Sequence, residues 1–136
     1  AKEHDLRSYA LLQTIPGVGR ILALVLLYEI ESIERFPQVQ DFVSYCRLIK
    51  SIKESNGKKY GSSGKKIGNA HLKWAFSEAA VLFLKGNEPG KKYLQRLAHK
   101  HGKAKALSIL AHKLGRAAYF MLKNKEAFNQ KKFLGL

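Results

Sequence analysis

The stretch whose reading decides the fold is "IPGVG", residues 15–19, set between the polar pair Gln13-Thr14 and a run, residues 21–29, whose only charge is Glu29. Glycine takes φ > 0 at little cost and lets another backbone come close, so two glycines here make a corner that a second surface can touch. Before the corner, Leu6, Tyr9, Ala10 and Leu12 recur at helical spacing over residues 5–13, and residues 14–19 break the pattern. After it, residues 21–30 are apolar on nearly every side. Their length and the flanking Gly19 favour a buried helix of about ten residues over a strand.

The same punctuation continues along the chain. Phe36-Pro37 stops one element, and Val39, Phe42, Val43 and Cys46, with Tyr45 beside them, are spaced as a third helix. Asn69 reads as an N-cap for a stripe of Leu72, Ala75, Phe76, Ala79, Ala80, Phe83 and Leu84, closed by Gly86. Glu88-Pro89-Gly90 starts a helix carrying Tyr93, Leu94 and Leu97 and ending at Gly102. A long helix follows with Ala106, Leu107, Leu110, Leu114, Ala117, Ala118, Met121 and Leu122, and the tail holds Phe128, Phe133 and Leu134 in a segment either helical or frayed. The expected fold is all-α, about six helices in one domain over residues 1–136. The helix-corner-helix lies near 6–30 and a helical extension spans 87–136.

Residues 50–68, KSIKESNGKKYGSSGKKIG, differ in character: four glycines, four serines and six lysines, with only Ile52, Tyr60 and Ile67 to bury. A loop of that length is usually functional or disordered. Charge is distributed to match. The net +15 arises from −2 over residues 1–46, +7 over 47–73 and +11 over 85–136, with Glu78 between. That asymmetry suits a chain that grips a polyanion, because each phosphate neutralised releases condensed counterions. Its plain competitor is a solvated lysine surface.

At 46% apolar the chain can bury a core without staples. One cysteine, Cys46, excludes an internal disulfide framework and fits a reducing compartment, where it reads as a small buried hydrophobe. No apolar run approaches the roughly 18 residues of a membrane span, and no signal-peptide layout opens the sequence, so a cytoplasmic protein is expected. No carboxylate pair is spaced to share a metal. His99 and His101 stand two apart, on different faces of a helix, and read as solvent-exposed.

Helix, Ile-Pro-Gly-Val-Gly, helix is the pattern of a helix-hairpin-helix element. Gly17 and Gly19 would let a DNA backbone approach, the free N–H groups opening the second helix would hold a phosphate oxygen, and Arg20 would add charge. Contacts of this kind position a duplex without reading its sequence. A tight inter-helix turn is the competing reading. Lys65, Lys66, Asn69 and Lys73, where the loop meets the next helix, read as phosphate or RNA contacts.

Taken in order, IPGVG, an apolar helix, SIERF at 32–36, SY at 44–45, SNGK at 55–58 and GNAHL at 68–72 resemble the C-terminal domain of insertion-sequence transposases of the IS110/IS116 family. The likeness covers residues 9–84 closely. It implies a two-part DNA recombinase: an N-terminal RuvC-like nuclease domain, absent from this chain, brings metal-binding carboxylates and Mg2+, and the C-terminal domain brings a serine that attacks a DNA phosphate. It also implies a guide RNA, a homo-oligomer in the active complex and a nucleoid-associated place in a bacterial cytoplasm. No cofactor is expected on this chain itself. Ser55 matches the family's serine, although Asn56 stands where the family has glycine. Lys53, Lys58 and Lys59 flank it and would meet the charge developing on the phosphorane.

Ser62 and Ser63 compete for the same role, and loop serines commonly serve turns. Two other functional classes compete as well: a non-catalytic helix-hairpin-helix module that docks DNA or RNA, and a helical assembly domain. Trp74, Phe76 and Phe83 read as core side chains rather than base-stacking platforms. Tyr60 either stacks on a base or covers lysine stems.

Overall fold

The computed structural model describes residues 2–48 and 68–136. Over these residues the chain is all-helical, with α1 (Lys2–Leu12), α2 (Arg20–Ile30), α3 (Val39–Tyr45), α4 (Ala70–Phe83), α5 (Glu88–His101), α6 (Lys103–Asn124) and α7 (Gln130–Leu134), plus a single 3-10 turn at Ile33–Arg35. The short α7 makes seven helices where about six are expected from the sequence.

Three asparagines start three of these helices. Their Oδ1 atoms accept from backbone N–H groups that the first turn leaves free: Asn69 from Leu72 at 3.0 Å, Asn87 from Gly90 at 3.1 Å and Asn129 from Lys132 at 3.1 Å. Pro89 sits in the first turn of α5, where its missing N–H goes unneeded. At α3, the Gln38 N–H donates to Asp41 Oδ2 at 3.0 Å.

The long α6 is the strut on which the others lean: it packs against α1, α3, α4 and α5. Leu110, Leu114 and Ala118 form its inner stripe and are fully buried. An aromatic cluster sits beside it. The Phe42 ring centre lies 5.2 Å from Phe36, 5.8 Å from Tyr119 and 6.1 Å from Phe76, and the Tyr119 hydroxyl donates to the Phe36 carbonyl at 2.8 Å. The polar end of Tyr119 is thereby satisfied inside the core.

The tail is tied down rather than frayed. Phe133 and Phe128 stack edge-on against Phe83, with ring centres 5.5 and 5.9 Å away. Gln130 and Asn87 exchange two amide hydrogen bonds, at 3.0 and 3.2 Å, and the Phe128 N–H donates to Thr14 Oγ1 at 2.8 Å. Cys46 is buried, and burial pushes its thiol well above the ordinary range, as befits a small hydrophobe.

Two expectations need correction. The second helix forms, but it is not buried on all sides: Leu22, Ala23, Leu26 and Ile30 face the core, while Ile21, Leu24 and Tyr28 stand 78%, 53% and 79% exposed. Trp74 is not a core residue either, being 54% exposed, whereas Phe76 and Phe83 are fully buried. The reason is angular. A step of two residues turns a helix by about 200°, so Trp74 points away from Leu72 and Phe76, which share the inner face.

Candidate nucleic-acid interface

The corner between α1 and α2 is a tight turn anchored from below. Ile15 and Val18 are buried, and the Val18 N–H donates to the Ile15 carbonyl at 3.0 Å. Pro16 and Gly17 occupy the middle of that turn with Gly17 at φ +93°, a position that demands glycine. Gly17 has a second constraint: a Cβ built on it would lie 2.5 Å from the carbonyl carbon and oxygen of Leu82 and 2.8 Å from the nitrogen of Phe83. The close backbone approach that the glycines permit is therefore made, on this side, by the end of α4.

Gly19 is different. It caps α2 with φ −94°, in extended conformation, and a Cβ there would meet nothing within 4 Å. No side chain caps α2, so the N–H groups of its first turn face outward beside the exposed Arg20.

At the other end of α2 stands the stem of the basic loop. The Asn69 N–H donates to the Tyr45 carbonyl at 2.7 Å, and Gly68, at φ +116°, lies against the Arg47 side chain. Asn69 Nδ2 donates to Glu29 Oε1 at 2.8 Å and to the Tyr45 hydroxyl at 3.4 Å. Both functional ends of the Asn69 amide are thus engaged within the protein. Arg35 joins the group from the 3-10 turn, its Nη1 donating to the Ile30 carbonyl at 2.8 Å and its guanidinium lying 5.0 Å from the Tyr45 ring centre. The hydrogen bond from Asn69, and then that from Arg35, hold the Tyr45 phenol below its ordinary pKa. Asn69→Ala is expected to raise the Tyr45 pKa toward the ordinary tyrosine value and to destabilise the fold by about 1 kcal/mol through the lost cap. An NMR titration of the Tyr45 ring, run beside chemical denaturation, reads both; an unmoved phenol would mean that the Asn69 contact does not matter.

Because Asn69 meets the end of α2 while Leu82 meets its beginning, α2 and α4 run antiparallel. Gly17, Gly19 and Arg20 lie at one end of the pair and Asn69 at the other, about 20 Å away along the fourteen-residue α4, with Lys73 one turn nearer the corner. An open cleft of about 430 Å³ begins at the corner, lined by Gly17, Arg20, Ile21, Val25, Trp74 and Leu82 among others. Two of its apolar side chains, Ile21 and Trp74, are exposed, and apolar surface gathered in a cleft marks a contact site more often than a plain solvent-facing one. The sequence held a signal for this cleft: Trp74 sits two positions from both Leu72 and Phe76.

Arg20 and Lys73 are exposed, and neither takes part in the three ion pairs found among the described residues. Ser55, Lys53, Lys58, Lys59, Lys65 and Lys66 lie outside the described residues, as do Ser62, Ser63 and Tyr60. His99 and His101 are exposed. Among the described residues no three His, Cys, Asp or Glu side chains come together as a metal site, and no helix is long and apolar enough to cross a membrane.

The description "Transposase IS116/IS110/IS902 family" belongs to a family model that matches residues 9–95, more than half of the 136-residue chain. The match runs from α1, through the corner and both stems of the basic loop, into α5. The chain belongs to the IS116/IS110/IS902 family of transposases. Its role is accordingly that of a transposase, which implies DNA as the partner. No curated protein and no solved structure matches the chain.

Proposed function

We propose that this chain is the DNA-gripping, serine-bearing part of a transposase that cuts and joins DNA strands during insertion-sequence movement. The carrying observation is the family match over residues 9–95, which spans the corner and the segment containing Ser55 in one continuous stretch. In this reading the helix-corner-helix is a helix-hairpin-helix element. The outward N–H groups of α2, with Gly19 and Arg20, receive one phosphate, while Lys73 and the loop lysines Lys53, Lys58, Lys59, Lys65 and Lys66 neutralise others. Gly17 shapes the turn, and Asn69 holds the loop stem.

Ser55 is the nucleophile in this reading. Its oxygen bonds to the phosphorus of a DNA phosphodiester, and the departing sugar oxygen takes the electron pair of the bond that breaks. A base outside the described residues accepts the hydroxyl proton. The Mg2+ expected from a partner nuclease domain finds no matching donor set among the described residues, so none of these steps is assigned to a metal held by this chain. A guide RNA and a homo-oligomer belong to the same reading, as parts of the complex that holds two DNA ends together.

Fluorescence anisotropy with a duplex DNA tests the grip, and a recombination assay with the full-length protein tests the serine. Binding is expected to weaken by orders of magnitude between about 50 and 200 mM salt, as several phosphate contacts require. Ser55→Ala should leave that binding intact and abolish strand exchange. Recombination surviving the substitution would remove Ser55 from the mechanism, and binding indifferent to salt would remove the DNA grip.

A further inference from the structure

The hairpin of α5 and α6 carries a charge pattern that the corner and the loop do not explain. Residues 88–125 hold ten Lys and Arg against a single acid, Glu88. Glu88 lies in the first turn of α5 and pairs with Lys91 at 3.5 Å. Farther along, Lys92, Arg96 and Lys100 are exposed at i, i+4 and i+8, which puts them in one row rising about 6 Å per step. None of the three has an acidic partner among the described residues.

Two physical points separate this row from a merely soluble surface. Like charges four apart on a helix repel and weaken it, whereas a surface selected for solubility alone can alternate its signs. One member of the row, Arg96, also lies beside an aromatic ring that the next helix holds. Tyr93, one residue on from Lys92, has its ring 5.9 Å from the Arg96 guanidinium and 4.7 Å from Lys113 Nζ, and its hydroxyl accepts from Lys113 at 3.1 Å. The apolar side of α5, with Leu94 and Leu97, is turned toward α6 and is half-buried, which leaves no apolar face to enter a bilayer. Nor does the row contain the aromatic or aliphatic anchors on which protein interfaces depend.

We infer that Lys92, Arg96 and Lys100 form a second grip on a sugar-phosphate backbone, separate from the corner and the loop stem. This rests on the nucleic-acid reading above and extends it: Arg96 and Lys100 lie beyond residue 95, where the family match stops. The ligand is a run of consecutive phosphates on one strand, engaged without base recognition.

The test is the triple variant Lys92→Gln, Arg96→Gln, Lys100→Gln in the 136-residue chain, titrated against a DNA duplex and, separately, an RNA duplex of arbitrary sequence. Removing mutual repulsion should leave the helix at least as stable, which circular dichroism and thermal melting verify. With whichever duplex is the ligand, the variant is expected to bind at least about tenfold more weakly, with a log–log salt dependence shallower by about three units, one for each phosphate no longer neutralised. The two duplexes thus identify the source of the phosphates. Unchanged affinity and slope with both duplexes in a folded variant would overturn the inference. A paired variant, Arg20→Gln with Lys73→Gln, keeps the two readings apart: loss of binding there with none in the triple variant would leave the corner and stem as the whole grip and refute the hairpin row.

Discussion

Gly17→Ala is expected to destabilise the fold by about 3 kcal/mol, from two sources that add: strain at a positive φ and overlap with a neighbouring backbone. The new methyl would lie 2.5 Å from the Leu82 carbonyl, with the chain held at φ +93°. Backbone in the last turn of a packed helix cannot swing aside as a side chain can. A loss of this size is a large part of the roughly 5–15 kcal/mol that typical domains possess. Gly19→Ala is the control, since its Cβ meets nothing within 4 Å and its φ is −94°. It should cost less than about 1 kcal/mol, the ordinary penalty for alanine at a helix N-cap. Denaturant titration of both variants decides the matter: equal stabilities would mean that the corner does not pack on α4 as described. Should the Gly19 variant fold normally yet bind DNA weakly, the open side of the corner would be identified as the phosphate-facing one.

The second large effect is at Phe42. Its ring is fully buried and touches three other aromatic rings contributed by the 3-10 turn's end, α4 and α6. Truncation to alanine removes those neighbours' packing and leaves a cavity walled by helices that are also held by other residues and so cannot collapse into it. A loss of about 3–5 kcal/mol is expected by chemical denaturation. Phe42→Leu, which refills part of the space, should recover much of it. A loss below about 1 kcal/mol for the alanine variant would mean that the site is loosely packed.

Much of the helical plan was legible because this chain marks its helix ends locally. Asn69, the Glu88-Pro89-Gly90 turn and Gly102 announce boundaries through groups that act within one turn of themselves, and the structure has helix ends at each. What was not legible depends on partners far away in sequence. Nothing adjacent to Gly17 says that Leu82 will press against it. The amide of Asn69 reads as free for a phosphate until Glu29, forty positions earlier, is folded against it. Residues 21–30 read as buried because hydrophobicity reports what a helix can hide, whereas only packing decides how many sides are covered. Trp74 misleads for a smaller reason: proximity in sequence groups it with Phe76 although the two point apart. For Ser55 and the loop lysines, motif order reaches further than the structure does, since they lie outside the described residues.

The dependence of the core on α6 has a consequence for how the family's hallmark should be understood. The matched stretch ends at residue 95, yet Leu110, Leu114, Ala118 and Tyr119 fill the space between the helices within it. The portion by which the family is recognised therefore leaves part of its own core to a helix outside it. A chain trimmed to that portion would lose the inner wall facing Phe42 and Phe76 and turn those rings toward water.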